Sequence, residues 1–292
     1  MNRTAFAALV LGAVCMGASP VFVRLADVGP FASAFWRVAL ALPVLFFWDR
    51  SETRGGTAGP FLTRTAVLAG LFFAGDLIFW HLALFRTTVA NATFFATTAP
   101  LWVLLGAFAM KTDTVTRMMA LGVALAFAGG GLLVGESLSV DPGRVTGDVF
   151  GLVTAIFFGG YFLAVRAART HQGAARVTFV SSLITALVLG LVALALEPHI
   201  LPGSMEGGAA LLALALVSHV GGQGLLAYAL GHLPAPFSSL VIFLEAVAAA
   251  AFGWIALAEA LSPIQIFGGA VILTGIWVAR PRSGPTPAVP ST

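Results

Sequence analysis

Two carboxylic acids, Asp76 and Glu245, sit inside long apolar runs of this 292-residue chain. A charge at the centre of a hydrocarbon layer costs about 2.5–3.5 kcal/mol on insertion scales. Such a cost is offset by an ion pair, by a proton, or by water in a cavity. A carboxyl that gains and loses a proton as it meets water is what proton coupling requires, so Glu245 and Asp76 are both candidates for that role. The competing reading makes each a neutral acid hydrogen-bonded to a neighbouring helix, and the residues alone leave both readings open. His219 and Gln223 lie four residues apart, hence on one helix face, with Gly221, Gly222 and Gly224 around them. Glycines there permit close helix approach, or local unwinding that bares backbone groups to a cavity. Tight packing with interhelical hydrogen bonds is the alternative.

Aromatic residues fall at comparable depth: Trp80 one turn after Asp76, then Trp102, with Phe158 and Tyr161 around Gly159-Gly160. A midplane rich in rings and poor in fixed charge suits a neutral or zwitterionic small molecule with an apolar part. Ser19, His81 and Thr98 join these as candidate substrate-binding residues. His81 stands about 140° round the helix from Asp76, so both cannot point straight into one cavity. Trp36 and Arg37 read as an interfacial anchor, the arginine snorkelling toward headgroups. No H-E-x-x-H, G-x-S-x-G, Walker A or strand-linked G-x-G-x-x-G motif occurs. The lone Cys15 forms no disulfide or metal cluster by itself, and no metal or cofactor is expected.

Positioning those residues is a task for membrane helices. The chain is 59% hydrophobic and 9% charged, with a mean hydropathy of +0.98. Soluble domains carry about 25% charged residues, so lipid is the solvent that such a surface suits. Net charge is only +3, and no basic run interleaved with aromatics suggests nucleic acid. Runs long enough for a bilayer core, which takes roughly 20 residues, are 5–25, 31–48, 65–86, 90–110, 117–135, 148–168, 176–196, 208–231, 236–257 and 263–280. They are continuously apolar, which argues for helices over barrel strands. With the N-terminus inside, eleven Lys and Arg residues, from Arg3 and Arg50 to Arg280 and Arg282, fall on the inner side. Arg24, Arg86 and Arg144 fall outside. By the positive-inside rule both termini are cytoplasmic. The loops Ser51–Pro60 and Glu136–Asp148 are polar, and the Pro/Ser/Thr-rich tail 281–292 is expected to be disordered.

Ten spans divide into halves of five, 1–140 and 146–280, and an odd number per half turns the second upside down. At an offset of 146, Ala83-Leu84 meets Ala229-Leu230, Asp113 meets Glu259, Gly122 meets Gly268 and Gly129 meets Gly275. At an offset of 142, Gly17 meets Gly159 and Val23-Arg24 meets Val165-Arg166. Inverted repeats of this kind mark secondary transporters with a mid-membrane site between the halves.

The run from Ala83-Leu84 to Pro100-Leu101, followed by Gly122 and Gly129, resembles the first-half pattern of EamA-type carriers of the drug/metabolite transporter superfamily. Ala229-Leu230, Pro234-Ala235, Leu244-Glu245, Glu259, Gln265, Gly268 and Gly275 resemble the second-half pattern. The likeness spans residues 5–280. It implies a ten-helix all-α membrane carrier with a central cavity lined mainly by the first, third, fourth, sixth, eighth and ninth spans. Ala246 stands where that family usually has proline, which questions a proline break in the ninth span; Pro100 keeps one in the fourth. The expected function is secondary export of small organic metabolites, foremost aromatic or other neutral amino acids, by alternating access across a bacterial inner membrane. A proton-coupled drug exporter is one alternative, and an intramembrane enzyme using Asp76, His81 or His219 is another. Expected partners are a small-molecule substrate and the bilayer, with no nucleic acid, and the expected state is monomeric.

Overall fold

The computed structural model describes residues 2–87, 89–111, 116–135, 142–257 and 261–280, which form helices and turns with no strand among them. Proline divides several of the expected spans, because it deletes one backbone donor and clashes with the preceding turn. The first span becomes α1 (Arg3–Gly17) and α2 (Ser19–Leu25), with Pro20 in the first turn of α2. The second becomes α3 (Pro30–Ala39) and α4 (Leu42–Arg54), with Pro43 placed likewise. After the continuous α5 (Arg64–Arg86), the fourth splits at Pro100 into α6 (Val89–Ala96) and α7 (Ala99–Met110). Three unbroken helices follow: α8 (Arg117–Gly135), α9 (Val145–Ala168) and α10 (Ala174–Leu196).

The eighth span begins as α11 (Met205–Ala213), turns π-helical over Leu214–Gln223, and resumes as α12 (Gly224–Leu230). The ninth breaks at Ile242 into α13 (Ala235–Val241) and α14 (Phe243–Leu257), although no proline follows Glu245. The last, α15 (Pro263–Ala279), starts at a capping box of Ser262 and Gln265. Among the described residues, seven segments are long and apolar enough to cross a membrane; Phe94–Met110, Arg117–Leu133 and Pro263–Ala279 are shorter apolar helices. One boundary moves: α4 runs on through Arg54, so the polar stretch read as a loop from Ser51 begins as helix. Asp113, Glu136, Asp141, Glu259, Arg282 and the tail 281–292 lie outside the described residues.

Small residues bring the helices together. A Cβ at Gly129 on α8 would stand 2.6 Å from the Gly268 carbonyl oxygen and 2.7 Å from the Ile272 nitrogen on α15. A Cβ at Gly122 would stand 2.5 Å from the Gly275 carbonyl oxygen. The two backbones therefore touch, the close approach that small residues allow in a membrane. On α1, Gly17 meets the Glu245 carbonyl and Ala248-Ala249 of α14, while Gly12 meets the Gly222 carbonyl. On α9, Gly159 meets the Ala99 carbonyl, Trp102 and Val103 of α7, while Thr154 lies against the Asp76 carbonyl.

Helices α3, α4 and α10 are bound at both ends by exchanged carboxylates. Glu52 at the end of α4 accepts from the amides of Ala175 (3.2 Å) and Arg176 (3.1 Å) in the first turn of α10. Glu197 at the far end of α10 accepts from the amides of Phe31 (2.6 Å) and Ala32 (3.1 Å) in the first turn of α3. Each carboxylate satisfies donors that a helix N-terminus leaves free, and it sits at the positive end of the helix dipole. Beside the first cap, the buried Arg176 donates to Asp49, to the Gly59 carbonyl (3.0 Å) and to Thr53 Oγ1 (2.7 Å).

Candidate functional site

Three of the four helix breaks described above converge. The α1–α2 break contributes Met16, Ser19 and Pro20 to one cavity; the α6–α7 break contributes Thr97, Ala99 and Pro100; the α13–α14 break contributes Ile242, Phe243 and Glu245. The π-helical turn ends there with Gln223, and helices α3, α5 and α9 add Arg37, Asp76, Trp80, Thr154 and Phe158. Counted together with its open mouth, the space they line is about 770 Å³. Non-helical backbone at membrane depth is tolerated where it lines such a cavity.

Of the residues singled out from sequence, Ser19, Asp76, Trp80, Phe158, Gln223 and Glu245 line this cavity. Glu245 occupies the first turn of α14, its amide bonded to the Ile242 carbonyl at 2.8 Å just past the break. The others stand elsewhere. His81 is buried on the far side of α5, its Nδ1 2.7 Å from the Leu77 carbonyl and its ring edge-on to Trp80. His219 turns to α10, where Nε2 meets Ser182 Oγ at 2.8 Å. Tyr161 packs on Phe73, with ring centroids 4.9 Å apart. Thr98 donates to the Phe95 carbonyl at 2.7 Å across the α6–α7 break. Trp102 is 38% exposed, its Cβ set against Gly159. His219 and Gln223 thus part company within the π-helical turn, one toward α10 and one toward α1, where the Gln223 amide nitrogen lies 3.3 Å from Met16 Sδ.

Arg37 corrects the sequence reading. It does not reach the interface: it is 5% exposed and lines the cavity, its guanidinium 5.9 Å from the centroid of the Phe73 ring. The reason is the fold of α3, which packs against α5 and α10 and turns this face inward. Trp36, next along, turns the other way and donates from Nε1 to the Ile200 carbonyl at 2.5 Å. Arg37 makes no ion pair within 4 Å among the described residues, and its Nε has no hydrogen-bond partner. Ser19 Oγ and Gln223 Oε1 are unpartnered as well. Neither the Asp76 nor the Glu245 carboxylate accepts a hydrogen bond from the described residues. The cavity is therefore lined by one guanidinium and two carboxyl groups that make no ion pair with one another within 4 Å. Among the described residues no group of three or more His, Cys, Asp or Glu side chains forms a metal site.

Residues 3–135 and 145–280 each match the EamA-like transporter family. An uncharacterized transporter of Archaeoglobus fulgidus is 27% identical over 278 residues, 94% of this chain and 95% of that protein. The pseudopaline exporter CntI of Pseudomonas aeruginosa is 24% identical over 255 residues, 86% of each chain. A solved crystal structure shares the fold with a TM-score of 0.80 at 19% identity, over 96% of this chain and 98% of that one.

Proposed function

This chain belongs to the EamA-like transporter family, and we propose that it exports small organic metabolites, amino acids foremost, by alternating access through the central cavity. The observation that carries this reading is the convergence of three helix breaks and three ionisable side chains on one cavity. Breaks are where a helix can bend, so opening the cavity to one side and closing it to the other needs little repacking elsewhere. The similarity to a pseudopaline exporter supports outward movement of an organic solute.

The reading takes the chain as ten spans in two inverted halves, with both termini cytoplasmic in a bacterial inner membrane. Contacts between helices support the halves. Gly17 against Ala248-Ala249 and Gly159 against Trp102-Val103 are one contact twice, at the offsets of 142 and 146 already present in the sequence. The same pair of offsets relates Gly12 on the Gly222 carbonyl to Thr154 on the Asp76 carbonyl. It also relates Gly221 beside Cys15 to Gly75 beside Phe157. In α8 and α15, Gly122 facing Gly275 becomes Gly268 facing Gly129 when the halves are exchanged, as a two-fold axis through that contact requires.

Glu245 is the proposed proton carrier, because it alone of the two cavity acids sits at a break. Purified protein in liposomes, without nucleotide, is expected to catalyse counterflow of amino acids. Glu245→Gln is expected to abolish pH-driven uptake yet keep substrate exchange, since the carrier would then move without its proton. Uptake and exchange both unchanged in Glu245→Gln would make Glu245 a packed structural acid and the carrier a uniporter. Breakdown of the solute in place of its transport would replace the carrier reading by an enzyme.

A further inference from the structure

We infer that the cavity selects a zwitterion, with Arg37 receiving the substrate's carboxylate and Asp76 its ammonium group. The inference rests on the exporter reading for the use of the site and adds which charges that site sorts. Its starting point is a buried guanidinium at the cavity with no carboxylate within 4 Å among the described residues and Nε unpartnered. An unpaired buried charge is costly. A protein that needed Arg37 only for structure would set Asp76 or Glu245 against it; both share the cavity, and both stand off. A guanidinium and a carboxyl held apart across one cavity match a guest that carries both signs.

The division of labour follows from the helices. Arg37 and Asp76 lie on α3 and on the unbroken α5, which pack side by side. A guanidinium holds a carboxylate through paired, charge-assisted hydrogen bonds, and a carboxylate is the natural acceptor for an ammonium. Ser19 Oγ and Gln223 Oε1 offer further unpartnered oxygens, and Trp80 and Phe158 give the apolar part of the guest a wall. A plain amine meets Arg37 as a like charge; a plain carboxylate meets Asp76 and Glu245. Each lacks one of the two contacts.

Thermal unfolding of the purified protein in detergent reads binding without requiring transport. The probes are the proteinogenic amino acids, each beside its decarboxylated amine and its deaminated acid. At least one amino acid is expected to raise the unfolding temperature, its two congeners binding about tenfold or more weakly for the lost charged contact. Arg37→Gln is expected to lose the amino-acid shift and gain one with the amine. Asp76→Asn is expected to lose the amino-acid shift and gain one with the acid. Those gains report that both variants are folded. Arg37→Lys, keeping charge but not the paired geometry, should retain a reduced amino-acid shift. No shift by any amino acid, equal shifts by a congener, or an undiminished shift in Arg37→Gln would overturn the inference. Binding with this pattern but no movement in liposomes would sink the exporter reading alone, whereas liposome transport confined to amines would sink the zwitterion and leave an exporter.

Discussion

Asp49→Ala is expected to lower the unfolding temperature steeply. Arg176 is buried, and Asp49 is the carboxylate that answers its charge. Removing one partner of a buried pair strands the other, at a cost of about 3–5 kcal/mol. That is a large part of the stability of an ordinary domain, about 5–15 kcal/mol. The loss would also loosen what Arg176 organises, since its other nitrogens hold the Gly59 carbonyl and Thr53 Oγ1. The Glu52 cap on α10 lies one turn away from Asp49 on the same helix. Thermal unfolding in detergent checks this. The double variant Asp49→Leu, Arg176→Met should recover part of the loss, because two well-packed apolar side chains strand no charge. A double variant no better than Asp49→Ala would mean that the hydrogen bonds of Arg176, and not its charge, hold the site.

Gly129→Ala is the second large effect. The new methyl would enter within 3 Å of two backbone atoms of α15, the Gly268 oxygen and the Ile272 nitrogen, and backbone cannot swing aside as a side-chain tip can. Overpacking costs about 1–3 kcal/mol, occasionally more, and contact between two rigid helices belongs at the upper end. Gly131→Ala, two residues along α8, is the control: its nearest neighbour is Phe94 at 3.8 Å, an ordinary contact. The unfolding temperature should fall sharply for the first and hardly at all for the second. Equal falls would show that helix propensity or insertion, and not the α8–α15 contact, sets the outcome.

The helices were legible because continuous apolar runs have few other uses. Rotation about each helix axis was not. Depth put Trp102, Tyr161 and His219 level with the cavity, but Trp102 faces outward, Tyr161 lies under Phe73 and His219 bonds Ser182. A span that is apolar all round carries no moment to orient it. The break at Pro100 could be read from proline, whereas that at Ile242 has none in reach after Glu245 and escaped notice. Arg37 was missed for a different reason. It lies deep in an apolar run, the same signal that selected Asp76 and Glu245, but its long stem and neighbouring Trp36 allow snorkelling as an equally good account. Only the packing of α3 on α5 and α10 decides between them. The offsets of 142 and 146 were present in the sequence as scattered glycine matches; the support they lend the proposed repeat comes from touching pairs of residues that recur at those offsets.

Alternating access makes one demand on the cavity that no static pore or sealed site meets: the same residue must see water from each side of the membrane in turn. Ser19 lines the cavity, its hydroxyl is unpartnered, and cysteine replaces serine there with almost no change of shape. In a protein whose single Cys15 is changed to alanine, Ser19→Cys is expected to react with a membrane-impermeant thiol reagent in right-side-out vesicles and in inverted vesicles alike. A saturating amino acid that the protein transports should slow the reaction from both sides. Reaction from one side only, unaltered by substrate or by a pH gradient, would contradict the account.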